Sequence, residues 1–177
     1  SIYQKLMKHF QIPFDKTNSF SKLFLNYIGS PNQFDSFIDY LPDLNGIKKA
    51  TSEWKFEKNK REVLVRVLKE QNKSCSQKTL NNIELLNQEN TFTITTGHQL
   101  NLATGPLYFL YKIVSAIKLC DRLKQELPGY NFVPIYWMAS EDHDFEEINH
   151  FYLFNKKYSW SSNQQGAVGK FQLDGLE

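Results

Sequence analysis

Sulfur is scarce in this chain. Cys75 and Cys120 are the two cysteines in 177 residues. They lie far apart and form no Cys-x-x-Cys pair, so neither a disulfide framework nor a cysteine-rich zinc site is expected. Long hydrophobic runs are missing as well. None reaches the roughly 18 apolar residues that span a bilayer, and the N-terminus lacks a signal-peptide core. A reducing, cytoplasmic location is therefore the expectation. Charge of one sign is also missing: a net charge of +2 and a pI near 8.4, with scattered lysines, argue against a nucleic-acid partner. No repeat or low-complexity tract occurs. What remains, 41% hydrophobic and 23% charged residues, is the composition of an ordinary globular protein large enough for one domain, or a domain with a subdomain.

The first half reads as a series of modest helices. Tyr3, Leu6, Met7 and Phe10 suggest a short helical turn or an unstructured start, broken by Ile12-Pro13. Ser19 is placed to cap a helix whose face is Phe20, Leu23, Phe24, Tyr27 and Ile28, stopped by Gly29-Ser30-Pro31. Phe34 to Tyr40 is expected to turn aromatic side chains into a core, and Ile47 to Phe56 to be helical. Asn59 to Gln71 follows, with Val63, Leu64, Val67 and Leu68 inward and a Glu62–Arg66 pair outward. Lys78 to Asn87 carries a Leu80, Ile83, Leu86 stripe. No catalytic signature appears among them, and residues 1–89 read as a helical scaffold.

At Thr91 the period changes. Thr91 to Thr96 alternates like a strand. Gly97 to Gly105 follows as a loop, and Pro106 suits a first helical turn. Leu107, Leu110, Ile113, Val114, Ile117, Cys120 and Leu123 then recur at helical spacing up to Pro128-Gly129, with Cys120 as a small buried hydrophobe. Phe132 to Met138 is apolar on both faces, like a strand inside a parallel sheet. It ends in Ala139-Ser140-Glu141-Asp142-His143-Asp144. After a short helix or turn from Asp144 to Asn149, the runs Phe151–Phe154, Tyr158–Trp160 and Ala167–Phe171 read as short strands in hairpins beside the sheet. Residues 90–177 are thus a βαβ unit with strands appended, and the fold class is α/β.

Parallel strands joined by a helix end on the same sheet edge, where open α/β sheets bind ligands. The loops after the two strands should therefore meet. The first delivers a helix N-terminus, which favours an anion. Gly97 and Gly105 allow close backbone approach, and Lys112, one turn beyond Tyr108, can reach a phosphate or carboxylate. The glycine spacing is neither a Walker nor a dinucleotide fingerprint, so a tight βα turn with a solvated lysine is equally open. The second loop admits three readings. Asp142 or Asp144 caps the next helix. Alternatively His143 is a general acid–base, its tautomer set by a neighbouring carboxylate. Finally, His98, His143, His150, Asp142 and Asp144 are suitable metal donors, although no His-x-x-x-His spacing supports a metal.

Thr96-Gly97-His98-Gln99-Leu100-Asn101-Leu102-Ala103-Thr104-Gly105-Pro106-Leu107-Tyr108, then Tyr111-Lys112, then Trp137-Met138-Ala139-Ser140-Glu141-Asp142-His143-Asp144-Phe145, resembles the bacillithiol biosynthesis cysteine-adding enzyme family. Ile12-Pro13, Ser21-Lys22-Leu23 and Tyr27 fit more loosely. His98 stands where the family pattern has Gln, and Asn101 where Gly is common. Asn tolerates a left-handed backbone, so Asn101 is expected to keep the turn.

The resemblance implies a Rossmann-like core, with a coiled coil and homodimer in a longer parent chain of which this is the N-terminal portion, inactive alone. It implies attachment of cysteine to glucosaminyl-malate. A nucleotide is associated with the fold, but no cofactor is specified by the residues and no metal is expected. On that reading His143, with Asp142 and Asp144, is catalytic. Gly97, His98, Gln99, Asn101, Gly105, Tyr108, Lys112, Trp137, Ser140 and Glu141 bind substrate. The rival readings are a metal-dependent hydrolase using the His/Asp loop, and a non-catalytic nucleotide-binding or docking module.

Overall fold

The computed structural model describes residues 10–175. The expected turn at the extreme N-terminus lies, apart from Phe10, outside them. The chain divides into two compact units, the first ending at Trp54 and the second beginning at Lys55.

In the first unit, helix α1 (Lys22–Gly29) is capped by Ser21, whose Oγ accepts from the Phe24 N–H at 3.2 Å. The cap is thus Ser21, not Ser19. The shift leaves Phe20 outside the helix, where it stacks on Phe24 at 4.9 Å while Phe14 meets both rings edge-on. Gly29-Ser30-Pro31 ends the helix as expected, and a 3-10 turn, Pro31–Phe34, sets Phe34 against Tyr27 at 5.6 Å. Phe37 is left 84% exposed. The segment after Pro31 therefore does not carry all its aromatics inward. Helix α2 (Leu44–Glu53) starts three residues before the expected Ile47, because Asp43 caps it through the Gly46 N–H at 2.7 Å.

The second unit is built on strand β1 (Thr91–Gln99) and strand β2 (Asn131–Ala139), paired in parallel from Thr91↔Asn131 to Gln99↔Ala139. Helix α3 (Lys58–Gln71) and helix α4 (Gln77–Leu85), the latter capped by Ser76, precede them. Helix α5 (Leu107–Glu126) crosses between the strands and packs on both. Strand alternation sends Phe92, Ile94 and Phe132 toward α5 and Val133 and Ile135 toward α3 and α4. Val65, Ile83, Leu86 and Val133 accordingly form one buried cluster. Each such side chain is worth about 1.5–3 kcal/mol of burial. Cys120 is 1% exposed, and burial pushes its thiol up to about 11, a group that packs and does not react.

Several apolar stripes sit elsewhere than expected. On α3 the buried positions are Arg61 and Val65, while Val63 is 52% exposed and Arg66 pairs with Glu70, not Glu62. Arg61 rotates the helix. Its Nη1 donates to the Leu86 and Thr91 carbonyls, both at 3.0 Å, and its Nη2 to that of Glu89 at 3.2 Å. On α5 the buried residues are Ala116, Cys120 and Leu123, whereas Leu107, Leu110, Val114 and Ile117 are exposed. In the first half of that helix Phe109 packs on His98 and Tyr136 at the strand ends while those four side chains face solvent. Strand β2 is buried at Phe132 and Val133 but open at Trp137 and Met138, since β1 is its one partner among the described residues.

Beyond β2, helix α6 (Phe145–Ile148) leads to an antiparallel hairpin, β3 (His150–Leu153) and β4 (Lys156–Ser159). The hairpin forms its own sheet, and β3 touches the turn that follows β1. The run Ala167–Phe171 is not a strand. It holds a 3-10 turn, Val168–Lys170, whose backbone bonds go to the loop after β2. Among the described residues no helix is long and apolar enough to cross a membrane.

Arg61→Met keeps the packing stem and removes three carbonyl partners. It should lower unfolding stability by about 3 kcal/mol, read from the urea midpoint. A change below about 0.5 kcal/mol, the scatter of neutral surface substitutions, would show that the fork does not hold β1 to the helices.

Candidate functional site

The shared edge exists. Gly97, His98 and Gln99 are the last residues of β1, not loop residues as expected, and pair with Trp137, Met138 and Ala139. Gly97 is close-packed: a Cβ there would stand 3.0 Å from the Trp137 carbonyl oxygen. Its lack of a side chain therefore accommodates Trp137, not an incoming ligand. The Trp137 side chain itself is open to solvent.

A polar network fills the start of the β1–α5 connection. His98 Nε2 lies 2.8 Å from the Tyr108 hydroxyl. His98 Nδ1 lies 3.0 Å from Asn101 Nδ2, which also donates to the Gln99 carbonyl at 2.9 Å. Nδ1 also lies 3.2 Å from the Gln99 carbonyl oxygen, so both ring nitrogens are within hydrogen-bond reach of neighbouring groups. Lys112 Nζ reaches back to the Gly97 carbonyl at 2.8 Å and stands 5.9 Å above the Tyr108 ring. Tyr136 adds a hydrogen bond to the His98 carbonyl.

Asn101 keeps an extended backbone, φ −139°, so it contributes an amide and not a left-handed turn. The left-handed residues are Ala103, Thr104 and Gly105, at φ 47°, 70° and 64°. For a β-branched residue such as Thr104 that conformation is strained, at about 1–3 kcal/mol. Pro106 is the cap preceding α5 and not its first turn. No side chain caps the helix, leaving its first turn open toward an anion.

The second loop meets the first through Gln99. Its side-chain amide is the foremost cause holding the Asp142 carboxyl below its ordinary range. The Asp144 N–H, 2.9 Å from Asp142 Oδ1, acts the same way. Asp144 caps α6, accepting from the Glu147 N–H at 3.2 Å. Both carboxylates therefore serve backbone N–H groups, as the capping reading expects, and neither hydrogen-bonds the His143 ring. His143 and Glu141 are exposed, and His143 acts on Asp142 through its charge. Ser140 and Asp142 are held from behind, since the Gly169 N–H donates to the Ser140 carbonyl at 2.9 Å and the Val168 N–H to that of Asp142 at 2.8 Å. These tail contacts had no signal in the sequence beyond a glycine at 169. His150 is turned to Asn149 and Tyr152 on the hairpin. Among the described residues no three His, Cys, Asp or Glu side chains gather to hold a metal.

The family description "Bacillithiol biosynthesis BshC, N-terminal Rossmann-like domain" matches residues 7–177. The chain belongs to the BshC family. It is 52% identical over 170 residues to a Flavobacterium psychrophilum protein named "Putative cysteine ligase BshC", and 46% over 168 residues to one so named from Cytophaga hutchinsonii. A third relative, from Bacillus cytotoxicus, is 38% identical over 134 residues. Those matches cover 93%, 94% and 75% of this chain and 32%, 32% and 25% of the respective relatives. The chain thus spans about a third of the length of the curated Flavobacterium and Cytophaga relatives it matches. The mixed α/β fold with its parallel pair agrees with the Rossmann-like BshC domain, and the BshC relatives carry the name of a ligase.

Two measurements test this geometry. Gln99→Leu should raise the Asp142 titration midpoint toward the ordinary carboxylate range, read from the side-chain carboxyl resonance; an unchanged midpoint would deny the contact. The sign follows from the depressed folded value: the Gln99–Asp142 contribution is present above the unfolded pKa and lost as pH falls through the folded one. Gly169→Ala would place a Cβ 2.6 Å from that of Ser140. It should shift the Ser140–Asp142 amide resonances and cost about 1–3 kcal/mol.

Proposed function

We propose that the protein adds cysteine to glucosaminyl-malate in bacillithiol biosynthesis, forming an amide bond. The observation that carries this reading is that β1 and β2 end in register at one edge, Gln99 opposite Ala139 where the Ser140–Asp144 loop begins, in a family whose relatives carry a cysteine-ligase name.

The chemistry makes three demands. The substrate's negative charge must be held, the carboxyl must be activated so that its oxygen can leave, and the attacking ammonium must lose a proton before its nitrogen attacks. The open first turn of α5 and the nearby charge of Lys112 suit the first demand. His143 suits the last: it is exposed, it is next in sequence to Asp142, and an imidazole nitrogen can take a proton. Asp144 shapes the loop that carries it. The His98–Tyr108 pair turns a hydroxyl toward the same helix start, so that His98 acts through Tyr108 and not on substrate directly. The product's small-molecule chemistry and the scarce cysteine fit a cytoplasmic enzyme. A metal-dependent hydrolase finds no donor set among the described residues.

In a full-length parent, His143→Ala should reduce thiol formation by at least about a hundredfold, the scale of a lost general base. Lys112→Ala should raise KM for the anionic substrate about tenfold with kcat retained, as a lost ground-state contact does. Normal bacillithiol in cells carrying His143→Ala would remove the assignment of that residue.

A further inference from the structure

Two groups compete for one nitrogen of His98. The Gln99 carbonyl oxygen lies 3.2 Å from Nδ1 and can only accept. Asn101 Nδ2 lies 3.0 Å from the same nitrogen and can only donate. The Asn101 amide cannot turn over to relieve the conflict. Its Nδ2 also donates to the Gln99 carbonyl at 2.9 Å, and the flipped oxygen would face that acceptor. A bare Nδ1 therefore holds Asn101, whereas a protonated Nδ1 donates to Gln99 and opposes the Asn101 N–H. The other ring nitrogen does not decide between the two, since the Tyr108 hydroxyl at 2.8 Å can give or take a proton.

Asn101 is also the inner support of the turn that follows it. A Cβ on Gly105 would stand 2.6 Å from Asn101 Cγ, so the amide lies directly against the Gly105 backbone. Ala103, Thr104 and Gly105 hold φ of 47°, 70° and 64°. Left-handed backbone at two non-glycine residues persists only where neighbours enforce it, and Asn101 is the side chain that meets the end of this run. The groups around His98 are few. From α5, Tyr108 bonds the ring, and Lys112 stands on the Gly97 carbonyl and over the Tyr108 ring. From β2, Tyr136 bonds the His98 carbonyl. Strand β3 touches the turn, with its His150 directed to Asn149 and Tyr152. Among the described residues no carboxylate forms an ion pair with the His98 ring. A proton gained there is answered only by rearranging hydrogen bonds.

We propose that His98 is a pH-sensitive latch on the turn leading into α5. The neutral ring, with its proton on Nε2, holds Asn101 and through it the left-handed turn. The imidazolium, with no lone pair left for Asn101, releases both. The latch needs no assumption about the reaction. Its bearing on substrate, through the open first turn of α5 that this turn delivers, rests on the ligase reading above.

The test is an NMR titration of the 177-residue chain from about pH 8 to about pH 5, the range in which histidine ordinarily changes charge. It follows the His98 ring nitrogens, the Asn101 side-chain amide and the Gly105 backbone amide. At the alkaline end the ring nitrogen shifts should report the proton on Nε2. The Asn101 and Gly105 resonances should then move with the same midpoint as the His98 ring. His98→Gln, neutral throughout, should abolish both movements, and His150→Gln should leave them. Asn101→Ala should leave His98 titrating and uncouple Gly105 from it. If His98→Gln fails to fold, the shared midpoint in the unaltered chain and in His150→Gln still decides. The proposal is overturned if neutral His98 carries its proton on Nδ1, or if Asn101 and Gly105 stay fixed while His98 titrates. It is also overturned if they move equally in His98→Gln, or if Gly105 still follows His98 in Asn101→Ala. The ligase reading fails separately: a full-length parent that forms no amide while Asn101 still follows His98 would sink the reaction and leave the latch standing.

Discussion

Parallel pairing of β1 with β2 is the constraint from which the rest of the second unit follows. Nine residue pairs run in register, and a parallel pair cannot be closed by a tight turn. The connection must cross over, and α5 does so. Both strands then end at one edge whatever their sequences. A slip of one residue would exchange the two faces, sending Phe132 away from α5 and reversing the side on which Gln99 emerges. The apolar lock at Phe132 and Val133, at the opposite end of the strand, therefore fixes which polar groups stand at the edge.

Elements with long, regular patterns could be read directly. The strand beginning at Thr91, the helix beginning at Leu107 and the apolar strand around Val133 all occur, in parallel, because periodicity reports local geometry that packing had no reason to override. The errors share a cause: each depended on a partner distant in sequence. Nothing in the local pattern marks Arg61, but three carbonyls some 25–30 residues on, at Leu86, Glu89 and Thr91, pull it inward and turn the helix with it. β1 extends through Gln99 because β2 supplies partners as far as Ala139, a length that a run of threonines cannot signal. The exposed apolar side chains on the first half of α5 show the reverse. Their spacing is helical, yet Leu107, Leu110, Val114 and Ile117 stay 40–67% exposed.

At the site the residue types were legible and their roles were not. That Gln99 and Asp142 stand near one edge follows from topology, since both strands end there in register. His98 looked like a group awaiting a ligand, but both its ring nitrogens are engaged by Asn101 and Tyr108. Asn101 seemed a backbone device and serves as a side-chain donor, the left-handed strain having moved on to Ala103, Thr104 and Gly105. In each case the sequence identifies a capacity to hydrogen-bond, and only folding says with which neighbour it is spent.

The Arg61 fork has a bearing on how the chain is assembled as it is made. Synthesis delivers α3 first, then α4, and β1 last, so the guanidinium waits on a formed helix for the carbonyls that will occupy it. Until Thr91 emerges, a buried cation lacks one of its acceptors. The nascent helical pair is thus an unfinished intermediate, drawn to completion by the strand that follows it off the ribosome.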